Sequence, residues 1–168
     1  TNTMQVLDIL EKSYSKARNI SHDLNKSNFR KESTDYSLKN VIRDFLEILN
    51  ANNEMEIEYN LDDLELIKNI DINVENDIRR ITTELITNAI KHSQARYLSV
   101  QFLKSENNLV LLIEDDGVGF EKSDLKQSKG LGLRAIEERI DLLGGNMKID
   151  SIKNQGTTVL IEIPLNHL

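Results

Sequence analysis

The stretch from Asn73 to Ser93 limits what this chain can fold into more than any other. Ile78, Ile81, Leu85 and Ala89 recur at the spacing of a helix that buries one stripe, and Glu84, Asn88 and Lys91, at i, i+4 and i+7, share the adjoining face. His92 flanks that polar face, and Asn73 or Asn76 is the expected cap. A polar row beside a buried stripe is ordinary on a solvated helix, so the row acquires meaning only from what the rest of the chain sets against it.

The flanking segments alternate in period. Ahead of this helix, Leu38, Val41, Ile42, Phe45 and Leu49 mark a shorter helix, and the alternating Met55, Ile57, Tyr59 and Leu61 mark a strand. The segment from Asp62 to Asn73 is ambiguous. Behind it, YLSVQFLK from Tyr97 and LVLLIED from Leu109 read as strands joined by the turn-like SENN. A polar stretch from Glu121 to Lys129 leads into GLGLRAIEERIDLLGG, a helix closed by Gly144 and Gly145. The end of the chain reads as a hairpin, NMKIDSI, then the turn KNQG, then TTVLIEIP. This order predicts an α+β fold, a two-layer α/β sandwich with a mixed sheet, preceded by one N-terminal helix. That first helix runs from Thr3 to about Asn25 on the seam Leu7, Leu10, Tyr14, Ala17, Ser21, Leu24, which needs a partner helix.

Charge narrows the chemistry. With 21 basic and 28 acidic residues the formal net charge is −7, and no local basic patch opposes it, so nucleic acid is not expected as a partner. A polyanionic ligand must then be held by local dipoles, a few lysines and a metal ion. The absence of cysteine excludes disulfides and thiolate metal sites and favours a reducing, cytoplasmic setting. The longest apolar run, Leu109 to Ile113, is far short of the roughly 20 residues that span a bilayer. A membrane is therefore expected only through regions absent here. The chain enters a helical pattern almost at Thr1, as a piece of a longer protein would, which leaves an upstream sensor or anchor open.

Two glycine pairs give the polar helix its counterpart. In IEDDGVGF a strand ends in the carboxylate of Asp115, which can accept a hydrogen bond from an exocyclic amine such as that of adenine, and Gly117 and Gly119 leave room against the backbone. A calcium loop would want further oxygen ligands at Phe120 and Ser123 followed by a bidentate Glu, and that order is missing. In SKGLGLRAI, Gly130 and Gly132 open a helix whose free N–H groups and dipole suit phosphate oxygens. The G-x-G-x-x-A within it imitates a dinucleotide fingerprint but follows a Lys-rich loop instead of a strand, and no G-x-x-x-x-G-K-[ST] loop is present.

In this order the motifs resemble the GHKL ATPase superfamily of gyrase, heat-shock chaperones, histidine kinases and MutL, and the resemblance implies its Bergerat ATP-binding fold. Within it, NAIKHSQA, DDGVGF, GLGLR, LLGG and QGTT are most similar to sensor histidine kinases of the nitrate-sensor and LuxR-partner type. The match covers roughly Ser37 to Leu165. It implies ATP and Mg²⁺ as cofactors, Asn88 on Mg²⁺, Glu84 in a polar or general-base role, and Lys91 and His92 on phosphates or ribose. It further implies Asp115 on the adenine amine with Thr157 helping through water, Gly117 and Gly119 giving room, and Gly130, Leu131, Gly132 and Leu133 along the phosphates. Lys129 adds a charge nearby. The implied activity is transfer of the ATP γ-phosphoryl group to a histidine, for relay to a response regulator receiver domain. A GHKL ATPase or serine kinase of another type, or a nucleotide-binding pseudokinase, remains as the alternative.

The resemblance also divides the chain into 1–27 as the C-terminal part of a dimerisation and phosphotransfer hairpin, 28–37 as linker and 38–168 as the catalytic domain. Homodimerisation would run through that hairpin in the full protein. A rival alignment, in which SHDL resembles the S-H-E-L of the other large histidine kinase class, would make His22 the acceptor within the fragment and Asp23 its base. Between Leu24 and Leu38 there is no room for a returning helix of matching length, so the first helix reads as the second of the hairpin and His22 as a surface residue. The fragment is accordingly expected to bind ATP without phosphorylating itself. Phosphohistidine that disappears in His22→Ala would overturn that assignment.

Overall fold

A computed structural model describes residues 37–52, 54–121 and 131–168. The expected N-terminal helix, the linker up to Tyr36, His22, Lys129 and Gly130 lie outside the described residues. The elements are α1 (Leu38–Asn52), β1 (Glu56–Asn60), a short 3-10 turn (Asp62–Leu66), α2 (Ile72–His92), β2 (Tyr97–Lys104), β3 (Asn108–Asp115), α3 (Leu131–Leu142), β4 (Asn146–Ile152), β5 (Gly156–Pro164) and a terminal 3-10 turn (Leu165–His167).

The strands form one sheet in the order β1-β2-β3-β5-β4, with β1 parallel to β2 and every other pair antiparallel. A parallel neighbour requires a crossover, and α2 supplies it between β1 and β2. The expected two-layer α+β sandwich with a mixed sheet is therefore the observed one. Alternation along the strands places Leu98, Val100 and Phe102 of β2, Leu109, Leu111 and Ile113 of β3, and Val159, Ile161 and Ile163 of β5 in the core. Ile42, Leu46 and Leu49 of α1, Ile78, Ile81, Leu85 and Ile86 of α2, and Ile136 and Ile140 of α3 complete it. Leu46 takes the place in the α1 stripe expected of Phe45, which packs at the core margin.

Helix α2 starts earlier than its capping residues suggested. Asp71 is the cap, its carboxylate accepting the Asn73 N–H at 2.8 Å, while its own N–H donates to the Leu168 carbonyl at 3.1 Å. An ionised carboxylate at that position satisfies an orphan donor and faces the positive end of the dipole, so it displaces Asn73 and Asn76 from the role. At the C-terminus of α3, Gly144 and Gly145 close the helix as expected, donating to the Asp141 and Ile140 carbonyls at 2.9 Å each. Asp71→Ala is expected to lower stability by about 1 kcal/mol, and Asn76→Ala by under ~0.5 kcal/mol, in urea unfolding. Equal losses would return the cap to Asn76.

Candidate functional site

The end of β3 turns back onto the end of α2. The Val118 N–H donates to the Ser93 carbonyl at 2.7 Å, and the Asp116 Oδ1 accepts the N–H groups of Arg96 and Tyr97 at 2.8 and 2.9 Å. From the other side, the Val118 carbonyl accepts the Asn154 N–H at 2.7 Å and the Ser151 hydroxyl oxygen accepts the Phe120 N–H at 2.9 Å. The segment from Asp116 to Phe120 is thus held by α2, the start of β2 and the β4–β5 hairpin together.

Between this segment, α2 and the start of α3 lies a cavity of about 610 Å³. Glu84, Asn88 and His92 reach it from α2, Asp115 from the end of β3, Gly119 from the loop after it, Gly132 and Leu133 from α3, and Thr157 from β5. Ile113, Ile149 and Val159 give it an apolar wall. A mostly apolar pocket with a few convergent polar groups suits a ligand with a flat apolar part and a polar tail. Lys91 is exposed and contributes nothing to the wall, and Gly117 is buried behind it. Leu131 opens α3 beside Gly132.

Asp115 stands where the sheet meets the cavity. It pairs with Thr157 across the β3–β5 ladder, and its Oδ1 accepts the Gly117 N–H at 2.9 Å. Burial pushes its carboxyl above the ordinary value; the nearby Gly117 and Thr157 N–H groups work the other way, and the neighbouring Asp116 charge adds to the rise. The Thr157 hydroxyl sits 2.9 Å from the Ser151 hydroxyl.

Gly117 and Gly119 serve the protein before any ligand. A Cβ at Gly117 would stand 2.2 Å from the Ser93 carbonyl oxygen, and one at Gly119, where φ is +54°, would stand 2.2 Å from that of Ile152. The room expected for a ligand is occupied by the chain itself, and what these glycines permit is the close docking of the loop that fixes Asp115. Gly132 differs: its nearest obstacle is the Glu84 Oε1, 3.1 Å from an added Cβ, so α3 begins against the polar row of α2.

Sequence reasoning missed Ser93, Asp116 and Ser151. The doubled Asp115-Asp116 was a visible pattern, but the role of Ser151 depends on the pairing Ser151↔Thr157, which no local period reveals. Among the described residues there is no group of three or more His, Cys, Asp or Glu placed to cage a metal ion, and no helix long and apolar enough to cross a membrane.

Residues 73–167 match the family model described as histidine kinase-, DNA gyrase B-, and HSP90-like ATPase. The chain is 29% identical over 164 residues to the oxygen sensor histidine kinase NreB of Staphylococcus carnosus, covering 98% of this chain and 46% of that protein. It is 33% identical over 132 residues to the sensor protein VraS of Staphylococcus epidermidis, covering 79% of this chain and 36% of that one. The chain therefore spans less than half the length of these relatives. In structure it resembles the histidine kinase domain of the Erythrobacter litoralis EL346 blue-light activated histidine kinase, with a TM-score of 0.66 at 15% identity over 99% of this chain and 87% of that one.

Asp115→Asn keeps an oxygen for the Gly117 N–H and removes a partly desolvated charge. Because the folded pKa lies above the unfolded one, the stabilising contribution of this carboxyl is complete only below the unfolded value of 3.8 and is lost as pH rises through the folded value. Asp115→Asn is expected to equal or exceed the parent in urea unfolding at neutral pH, with its advantage shrinking as the pH falls. An advantage that grows on acidification would contradict the direction of the shift.

Proposed function

The chain belongs to the histidine kinase-, DNA gyrase B-, and HSP90-like ATPase family as a histidine-kinase-type ATP-binding domain, and from that premise we propose that its 610 Å³ cavity holds ATP for phosphoryl transfer to a histidine. The observation that carries the reading is the convergence, in that one cavity, of Asp115 at an apolar end and of Asn88, Glu84 and the start of α3 at a polar end. Adenine would lie against Ile113, Ile149 and Val159, its amine donating to the Asp115 carboxylate, with Thr157 assisting through water.

The polar end fits Mg²⁺ of a particular kind. Without a side-chain cage among the described residues, a cation there needs most of its oxygens from water and phosphate, which is how Mg²⁺ is bound in phosphoryl-transfer sites. Asn88 would give it an amide oxygen, and Glu84, one turn away, would hold a water or act as base. When bound, Mg²⁺ neutralises phosphate charge; the chain's own part is to orient the triphosphate and exclude water, which is most of what such a transfer requires. His92 would face ribose or phosphate. Gly130 and Gly132 would donate backbone N–H groups, with Leu131 and Leu133 beside them and Lys129 as a nearby charge. The assignment of Lys91 to phosphate rests on the family pattern alone, since its side chain is outside the cavity wall.

Residues 38–168 would form the catalytic domain, supported by a helix that starts at Leu38, with 1–27 as the end of a dimerising hairpin and 28–37 as linker. The histidine acceptor would lie outside the fragment, and the phosphoryl group would pass on to a response regulator receiver domain. The relatives named as sensor histidine kinases support this reading.

Calorimetry tests it. The intact chain is expected to bind ATP with Mg²⁺ in the micromolar to millimolar range. Asp115→Ala should abolish the heat, and Asn88→Ala should remove roughly tenfold or more of the Mg²⁺-dependent affinity. No binding by a natively folded parent chain would overturn the proposal.

A further inference from the structure

A second cleft, of about 350 Å³, opens between the N-terminal half of α2 and the start of α3. Arg79, Arg80 and Arg139 line it, together with Thr83, and it shares Glu84 and Gly132 with the nucleotide cavity, so the two are contiguous. Three guanidinium groups in one recess are notable on a chain whose net charge is −7.

Helix geometry says what this recess adjoins. The loop carrying Asp115 docks on Ser93, and α3 begins against Glu84, nine residues earlier on α2. At 1.5 Å per residue those landmarks are roughly 14 Å apart along the helix axis. A nucleotide with its base at Asp115 and its phosphates at Gly132 therefore runs along α2 toward the helix N-terminus. The next turn beyond Glu84 on the same face is Arg80, about 6 Å further along the axis.

The three arginines are not equivalent. Arg139 is already engaged: its guanidinium donates to the Asp77 carboxylate at 2.6 Å, with both side chains about one-third exposed or less, at 34% and 28%. That pair pins α3 to α2 beside the recess, which Arg139 lines. Arg80 makes no side-chain hydrogen bond or ion pair among the described residues; only its backbone carbonyl is engaged there, accepting the Thr83 hydroxyl at 3.2 Å. An exposed guanidinium with its donors uncommitted presents a planar fork that matches a phosphate in two bonds.

We infer that Arg80, in the recess it lines with Arg139, recognises the terminal phosphoryl group of the bound nucleotide and so makes the site discriminate a nucleoside triphosphate from a diphosphate. This inference rests on the nucleotide reading of the larger cavity. Its physical logic is that Glu84, which borders both cavities, repels phosphate oxygens, and a cation one turn away offsets that repulsion where the terminal group would lie. Arg80 is thus a specificity-determining residue that touches ligand, and Arg139 and Asp77 are positioning residues that act through the shape of the recess.

The test compares the affinities of the intact chain for ATP and for ADP, both with Mg²⁺, against Arg80→Ala and Arg80→Lys, with thermal unfolding as a control for fold. Arg80→Ala is expected to weaken ATP about tenfold while ADP changes by less than about twofold, and Arg80→Lys to fall between, since it keeps the charge and loses the fork. Equal loss for both nucleotides, or no loss for either, overturns the role of Arg80 while leaving the nucleotide site in place. Failure of the parent chain to bind either nucleotide removes the premise and the inference with it.

Discussion

The pairing of β3 with β5 is the constraint on which the site depends. Asp115 faces Thr157 across that ladder, and the residue before Thr157 is Gly156, whose φ of +102° and lack of Cβ let the backbone come against the Asp115 carbonyl. A Cβ there would lie 1.9 Å from that oxygen, so no other residue fits without parting the strands. The same pairing puts Ile113 beside Val159 and thereby makes the apolar wall. One ladder therefore sets both the floor of the cavity and the carboxylate at its end, and Ser151 of β4 ties the hairpin to the loop that follows Asp115.

Around that floor the electrostatics are local. A chain of net charge −7 repels a polyanion at long range, but screening confines that repulsion to about 8 Å at physiological ionic strength, so the groups lining the cavity decide affinity. Along α2 the polar groups follow one another: Asp115 faces the C-terminal end of the helix, the Asn88 amide and the Glu84 carboxylate stand in the middle, and Arg80 and Arg139 line the contiguous recess toward the N-terminal end. A ligand with an amine at one end and phosphate charge at the other would suit that order, since the arginines offset Glu84 where the negative charge would lie. A ligand with negative charge at its apolar end would not, because it would meet a carboxylate that burial already makes costly to ionise.

Most of the architecture was legible in the sequence because its elements carry strong periods. The α2 stripe of Ile78, Ile81, Leu85 and Ala89 is buried as its spacing requires, and the α3 stop at Gly144 and Gly145 follows from local backbone chemistry. The α2 start was misplaced because Asp71 lay in a stretch with no period, and its capping role is fixed partly by the terminal Leu168, which accepts its N–H from across the chain. In the candidate site, residues quoted in the motifs came together where each supplies a side chain, as Glu84, Asn88, Asp115 and Thr157 do. The motif glycines were harder to read. Whether a missing Cβ admits a ligand or the chain's own carbonyl depends on tertiary docking, and at Gly117 and Gly119 it is the carbonyls of Ser93 and Ile152 that fill the space.

That docking explains why the site can hold a strained electrostatic arrangement. Asp115 is half-buried beside a second carboxylate, Asp116, and an isolated carboxyl so placed would lower its cost by turning to water. It is kept in place because the surrounding backbone leaves no slack: the Gly117 N–H holds one oxygen, Thr157 N–H supports the group from β5, and Asp116 is itself occupied by the N–H groups of Arg96 and Tyr97. A donor arriving in the cavity then meets an acceptor already oriented and partly stripped of water, so little reorganisation opposes the contact. The stability forgone in burying the charge and the readiness of the site to accept an amine have the same origin, the close approach of backbone that Gly117, Gly119 and Gly156 allow.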